Sequence, residues 1–226
     1  MDKITKPRKP KEEKYIFTEG INYFDNGKMS IWGNGDKAVK KILEKINISG
    51  EWLNLAAGDG RYNNKLLQKA SFVVASDIDV CALSKLWHSA KTKHKPKLKI
   101  KVFNITKRFP FKNFSFDGVF CTGILHFFPE KILKSIFLEI DRILKYNGKI
   151  IIDFATDIKR ILPNNKLYIR HNEPRYTMEE AENLLKQLLK KYKVKIIKSK
   201  VPKEIVKTRG MVYKFSCKFI VIIANK

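Results

Sequence analysis

Apolar residues in this chain recur by turns with a helical period and a strand period, and that alternation restricts the fold more than any other feature. Ala38, Val39, Ile42, Leu43 and Ile46 are spaced for one helix face, and Trp52, Leu53 and Leu55 follow as a short strand. Phe72 to Ala75 reads as a second strand, then Cys81, Leu83, Leu86, Trp87 and Ala90 as the stripe of a helix, then Leu98 to Phe103 as a third strand. After a loop carrying Pro110, Phe116 to Thr122 reads as a fourth strand. Ile132, Leu133, Ile136, Phe137, Ile140, Ile143 and Leu144 trace one side of a long helix that Asn147-Gly148 ends. Lys149 to Ala155 is a fifth strand, and Thr177 with Glu180 forms a capping box opening a helix whose core face is Ala181, Leu184, Leu185, Leu188 and Tyr192. Val194 to Ser199 and Tyr213 to Ile223 are spaced for a closing antiparallel hairpin, because their connection carries Pro202 and Gly210 and no helix.

Strands separated by helices of ten or more residues imply right-handed crossovers, hence a mostly parallel α/β sheet with helices on both faces. At 226 residues and 44% hydrophobic, the chain suits one domain, from residue 15 to residue 226, behind a flexible basic arm at residues 1 to 14 in which Pro7 and Pro10 interrupt any helix. No apolar stretch approaches the ~20 residues of a membrane span, and the charged start lacks a secretory core, so a cytoplasmic location without membrane contact is expected. Cys81, Cys121 and Cys217 are widely spaced and form no CxxC pair, which argues against a disulfide framework and against a zinc or other metal site.

The formal charge of +25 points to a polyanionic partner, nucleic acid first, unless a general preference for lysine has raised the charge everywhere. Distribution bears on this. Lys91, Lys93, Lys95, Lys97, Lys99 and Lys101 alternate and would share one face if extended, and from Lys186 to Lys218 Glu204 is the sole acid.

In open parallel sheets the ligand lies beyond the carboxyl ends of the strands, where their order reverses. The loop after the first strand, Ala56-Ala57-Gly58-Asp59-Gly60, is built of small residues that let backbone approach a ligand and offer its N–H groups, although an ordinary tight turn has the same composition. Asp77 ends the second strand, where a carboxylate accepts both hydroxyls of a nucleotide ribose; Asp79 is placed to cap the following helix.

Four blocks, LNLAAGDGRY, VVASDID, the pair NITKRFPF and SFDGVFCTGILHFF, and LEIDRILKYNGKIII, stand in an order and spacing that resembles the class I S-adenosylmethionine-dependent methyltransferases over residues 30 to 226. The resemblance implies a Rossmann-like, doubly wound seven-stranded sheet, with the last strand antiparallel between the fifth and sixth, and S-adenosylmethionine as cofactor. It also implies that Ala56 and Gly58, with Ala57 and Gly60 in the same loop, line the methionine part of the cofactor, that Asp77 holds the ribose, and that Ile78 packs on adenine. Asn104 and Ile105 would flank the adenine rim, with Cys121 and Thr122 beneath the methyl. The chain departs from the pattern at Ala56, where glycine is usual, at Asn54, where an acid is usual, and at Asn104, where aspartate is frequent. Alanine can keep φ below zero and so forbids only the conformations reserved for glycine.

Methyl transfer from a sulfonium needs alignment more than a protein nucleophile. His126, just after the fourth strand, is the candidate base, its alternative being a wall residue of an aromatic segment. No Asn-Pro-Pro-Tyr or Asp-Pro-Pro-Tyr follows the fourth strand, which disfavours planar exocyclic amines as acceptors. Trp32, Arg170, His171 and Arg175 are candidate acceptor-binding residues, the arginines suiting an acidic acceptor or serving a solvated loop. The expected acceptor is RNA or an RNA-associated protein, with a small acidic metabolite as alternative. A relative that has lost catalysis but still binds nucleic acid or a partner is the third reading.

Overall fold

The computed structural model describes residues 34–169, 173–208 and 211–226. Helix α1 (Asn34–Lys45) leads into strand β1 (Glu51–Leu55), and helix α2 (Asn63–Lys69) connects it to β2 (Phe72–Asp77). Helix α3 (Val80–Ser89) and a 3₁₀ turn over Thr92–Lys97 precede β3 (Leu98–Val102); β4 (Phe116–Cys121) follows without an intervening helix. Helix α4 (Glu130–Ile143), strand β5 (Leu144–Ile161), helix α5 (Met178–Leu188) and the hairpin of β6 (Lys193–Thr208) and β7 (Met211–Asn225) complete the order.

The strands form one seven-stranded sheet in the order β3-β2-β1-β4-β5-β7-β6, parallel from β3 to β5 and antiparallel at β7 and β6. This is the doubly wound sheet that the alternation predicts, with β7 between β5 and β6. Alternate residues of each strand serve opposite faces. Leu53, Leu55, Val119 and Cys121 pack with α4 and α5 on one side. Trp52, Phe120 and Ile151 pack with α1, α2 and α3 on the other. Gly118 leaves room for the Trp52 indole, since a Cβ there would fall 2.3 Å from the ring.

Four expectations are corrected. Helix α4 ends at Ile143 and Asn147 is not its stop; Asn147 takes φ 61° within an irregularity of β5, where Phe116 pairs with Leu144 but Gly118 pairs with Lys149. Helix α2 has seven residues, fewer than the ten expected of a crossover helix. The lysines at 91 to 101 do not share an extended face, because Thr92–Lys97 winds into a 3₁₀ turn around Pro96. The fifth strand does not end at Ala155, since β5 pairs with β7 as far as Ile161 opposite Lys214, and Leu167 then bridges back to Ile161. A third apolar cluster, including Phe127, Ala155, Tyr213, Phe215 and Phe219, forms under this extension.

Candidate active site

Strand order reverses between β1 and β4, so the crevice at their carboxyl ends is the place for a ligand. After Leu55 the chain turns through Ala56 (φ 52°), Gly58 (φ 55°) and Gly60 (φ 84°) before α2 begins. Ala56 thus does not keep φ below zero, although an alanine can. The loop folds back over β2, where the Ala57 N–H donates to the Ser76 carbonyl (2.7 Å) and the Gly58 N–H to Asp77 Oδ2 (2.8 Å). Holding a Cβ in that left-handed conformation costs about 1–2 kcal/mol. Gly60 is required sterically as well, because a Cβ would lie 2.5 Å from Leu86 Cγ on α3.

Asp77 is buried at the end of β2, and Oδ1 accepts from the Asp79 N–H (3.0 Å). Burial raises its carboxyl above the usual range, while the N–H groups of Asp79 and Gly58 partly offset the shift. Asp79 caps α3 as expected, accepting from Cys81 and Ala82. Asn54 lies on the opposite face of β1 from Leu53 and Leu55, its amide donating to Asn63 Oδ1 (3.2 Å) at the start of α2. Ile78 is half-buried; Asn104 Oδ1 accepts from the Thr106 N–H (2.9 Å), and Ile105 is buried in the core under α4. The Cys121 thiol is fully buried, and burial and the charges of Asp153 and Asp77 raise it well above the ordinary thiol range, so it is a neutral apolar contact and not a nucleophile. Thr122 is half-buried and leads to Gly123, which turns at φ 75° and donates its N–H to Asp153 Oδ1 (2.6 Å).

His126 is buried and packs between Phe127 (4.1 Å between ring centroids) and Phe154 (6.1 Å). The structure gives it the surroundings of a wall residue. Arg175 is exposed, at the rim of a cavity of about 330 Å³ lined by the end of β5, by Leu167 to Ile169 and by Glu173 to Thr177; Trp32, Arg170 and His171 lie outside the described residues.

Residues 53–152, from β1 into β5, match the family described as the methyltransferase domain. The chain has the Rossmann-like fold of the class I methyltransferases. The PH0226 protein of Pyrococcus horikoshii OT3 superposes with a TM-score of 0.60 at 19% identity, covering 93% of this chain and 97% of that one. A DhpI–SAM–HEP complex gives 0.60 at 15% identity over 86% of each chain. Phosphoethanolamine N-methyltransferase 1 of Haemonchus contortus, solved with phosphoethanolamine and S-adenosylhomocysteine, gives 0.59 at 13% identity, covering 83% of this chain and 42% of that one. At such identities these likenesses establish the fold. Among curated proteins none matches the sequence significantly.

Two further contacts hold the segments around this crevice. Asp153 ties the β4 loop to β5; its signal was a lone acid directly after the apolar run Ile150-Ile151-Ile152. Arg160 forms a two-bonded ion pair with Glu173 (2.8 and 3.0 Å), with the two side chains 3% and 4% exposed. That pair fastens the segment after β5, as do the Tyr168 N–H to the Arg160 carbonyl and the Tyr176 hydroxyl to the Phe128 carbonyl (2.9 Å).

Proposed function

We propose that this protein is an S-adenosylmethionine-dependent methyltransferase with RNA as its acceptor. The observation that carries the cofactor assignment is the Gly58 N–H to Asp77 contact, which brings the small-residue loop and the ribose-type acid to one place at the switch point. The residues fit that group. Asp77 accepts from the N–H groups of Gly58 and Asp79 and is also stabilised by that of Ile78, while a carboxylate has about four acceptor sites, so capacity for a ribose hydroxyl remains. Ala56 to Asp59 stay half-buried, which leaves loop backbone within reach of a ligand.

When bound, the cofactor supplies a methyl carried on a sulfonium, a good leaving group. The chain's own residues do the rest. Asp77 accepts from a ribose hydroxyl; Ala56, Ala57, Gly58 and Gly60 offer backbone without bulky side chains; Ile78, Asn104 and Ile105 border the adenine; and Cys121 and Thr122 form the floor under the methionine end. Asn54 holds α2 to β1 through Asn63 and carries no charge toward the cofactor. His126, packed by Phe127 and Phe154, shapes the wall and excludes water.

The charge of +25 supports RNA as acceptor. One observation favours a second reading, a small acidic acceptor. The cavity of about 330 Å³ beside β5 is lined by Tyr168, Tyr176, Lys159 and Arg175 as well as by the acids Asp157, Glu173 and Glu180, of which Glu173 is paired with Arg160 and Asp157 with Lys218, and the fold is shared with the H. contortus phosphoethanolamine methyltransferase. Incubation with methyl-labelled cofactor and fractionated cell extract separates the two: label in RNA that nuclease releases supports the first, label only in small molecules supports the second, and label nowhere contradicts both.

A further inference from the structure

At the opposite, amino-terminal end of the parallel strands, Phe114 and Tyr146 stack on one another in solvent. Their ring centroids are 5.0 Å apart and the planes 18° from parallel, and they are 45% and 75% exposed. Phe114 precedes β4 and Tyr146 lies in the irregular start of β5, so the pair sits across the sheet from the methyl-transfer crevice. Two features set it apart from incidental surface apolarity. Phe114 holds φ 52°, which costs a bulky side chain about 1–2 kcal/mol. The strain is enforced by Arg142, all five of whose donors are used: Nε and Nη2 to Glu139, Nη1 to the Phe111 carbonyl and Asn113 Oδ1, and Nη2 to the Phe109 carbonyl. The Phe114 N–H in turn donates to the Arg142 carbonyl (3.0 Å). The loop is therefore a rigid mount that presents an aromatic ring outward.

The surroundings are cationic. The Lys226 ammonium lies 5.4 Å from the Phe114 ring and 5.9 Å from that of Tyr146, at the side of the stack, so the outer face of Tyr146 stays open. Lys107, Arg108 and Lys112 on the same loop are exposed and form no ion pair among the described residues. The neighbouring acids are neutralised: Asp117 by Lys145, Glu139 by Arg142, Asp141 by Lys226. A preorganised two-ring face among exposed cations, with the neighbouring acids already paired, suits a base stacked between flanking phosphates.

We propose that Phe114 and Tyr146 form a stacking platform for single-stranded nucleic acid. It shares a partner with the RNA reading of the acceptor but does not depend on methyl transfer. The test uses the full chain and a fluorescein-labelled oligouridylate of about twelve nucleotides, within the usual site size. Tyr146→Ala should weaken binding at least about fivefold with an unchanged salt slope, Phe114→Ala should do the same, and Tyr146→Trp should restore affinity. Tyr146→Ser, at a position so exposed, guards against a folding defect in the first variant. Equal affinity of wild type and Tyr146→Ser, failure of Tyr146→Trp to restore binding, or a wild-type dimer that Tyr146→Ala dissociates overturns the proposal, the last by assigning the face to a second copy of the chain. Calorimetry with S-adenosylmethionine on Tyr146→Ala should match wild type, so loss of the platform and loss of the cofactor site are read apart.

Discussion

At the scale of single residues, the site rests on a strained alanine and a buried acid. The left-handed conformation of Ala56 costs about 1–2 kcal/mol, and a glycine there would lose about 0.4–1 kcal/mol through the greater freedom of its unfolded chain. The first figure is larger. Ala56→Gly is therefore expected to stabilise the protein by about 0.5–1 kcal/mol, seen as a rise of about 1–4 °C in the thermal midpoint; a fall would show that the Ala56 methyl makes contacts worth more than the strain. Asp77 titrates above the usual carboxylate value of 3.8, chiefly through burial. Its raised folded-state pKa means that protonation favours the folded state, so this group's contribution to stability grows as pH falls through that pKa. Hydroxyl hydrogen bonds need the ionised form, so cofactor affinity should fall over the same interval. Titrating cofactor at several pH values between 7 and about 4.5 should show that decline in wild type and a flat profile in Asp77→Asn. The place of Asp77 at the end of β2 and the capping role of Asp79 were legible in the sequence because both follow from position relative to a strand end. The conformation of Ala56 was not, since it is set by Ser76 and Asp77 on another strand.

At the scale of elements, helices α1, α3, α4 and α5 and the cores of all seven strands were readable because apolar spacing is local information. The capping box of Thr177 and Glu180 was readable for the same reason. What the sequence hid was pairing between distant segments. The extension of β5 to Ile161 depends on β7 opposite it, and the Arg160–Glu173 pair could not be chosen over Asp153 or Asp157 without the fold. That pair is buried, and removing the Glu173 charge takes away the carboxylate to which both Arg160 Nη groups donate. Glu173→Gln is expected to cost about 3–5 kcal/mol and to open residues 162–176 to protease, and a variant that resists cleavage like wild type would show that Tyr168 and Tyr176 suffice to hold the segment. Both sheet edges bear exposed lysines, Lys99 and Lys101 on β3 and Lys193, Lys195 and Lys200 on β6. Such lysines deter further strand pairing, so part of the charge that reads as a polyanion surface serves the sheet itself.

At the scale of the molecule, the fold was the most legible part, because a parallel sheet with one reversal leaves a single favoured place for a ligand. The acceptor was the least legible. Arg175 borders a cavity that residue types alone do not show, while His126 packs into an aromatic wall, the alternative that its aromatic neighbours offered in the sequence. Among the described residues no helix is long and apolar enough to cross a membrane, and the net charge of +25 is spread over edges, loops and the aromatic platform. The central claim is that the loop from Ala56 to Gly60 and Asp77 together bind S-adenosylmethionine. Calorimetric titration of the folded protein with that cofactor tests it most directly. We expect saturable binding at one site, weakened at least about tenfold in Asp77→Ala, as the loss of about 1.5–3 kcal/mol of hydrogen bonding to a charged group requires. No measurable heat at millimolar cofactor, or equal affinity in the variant, contradicts it.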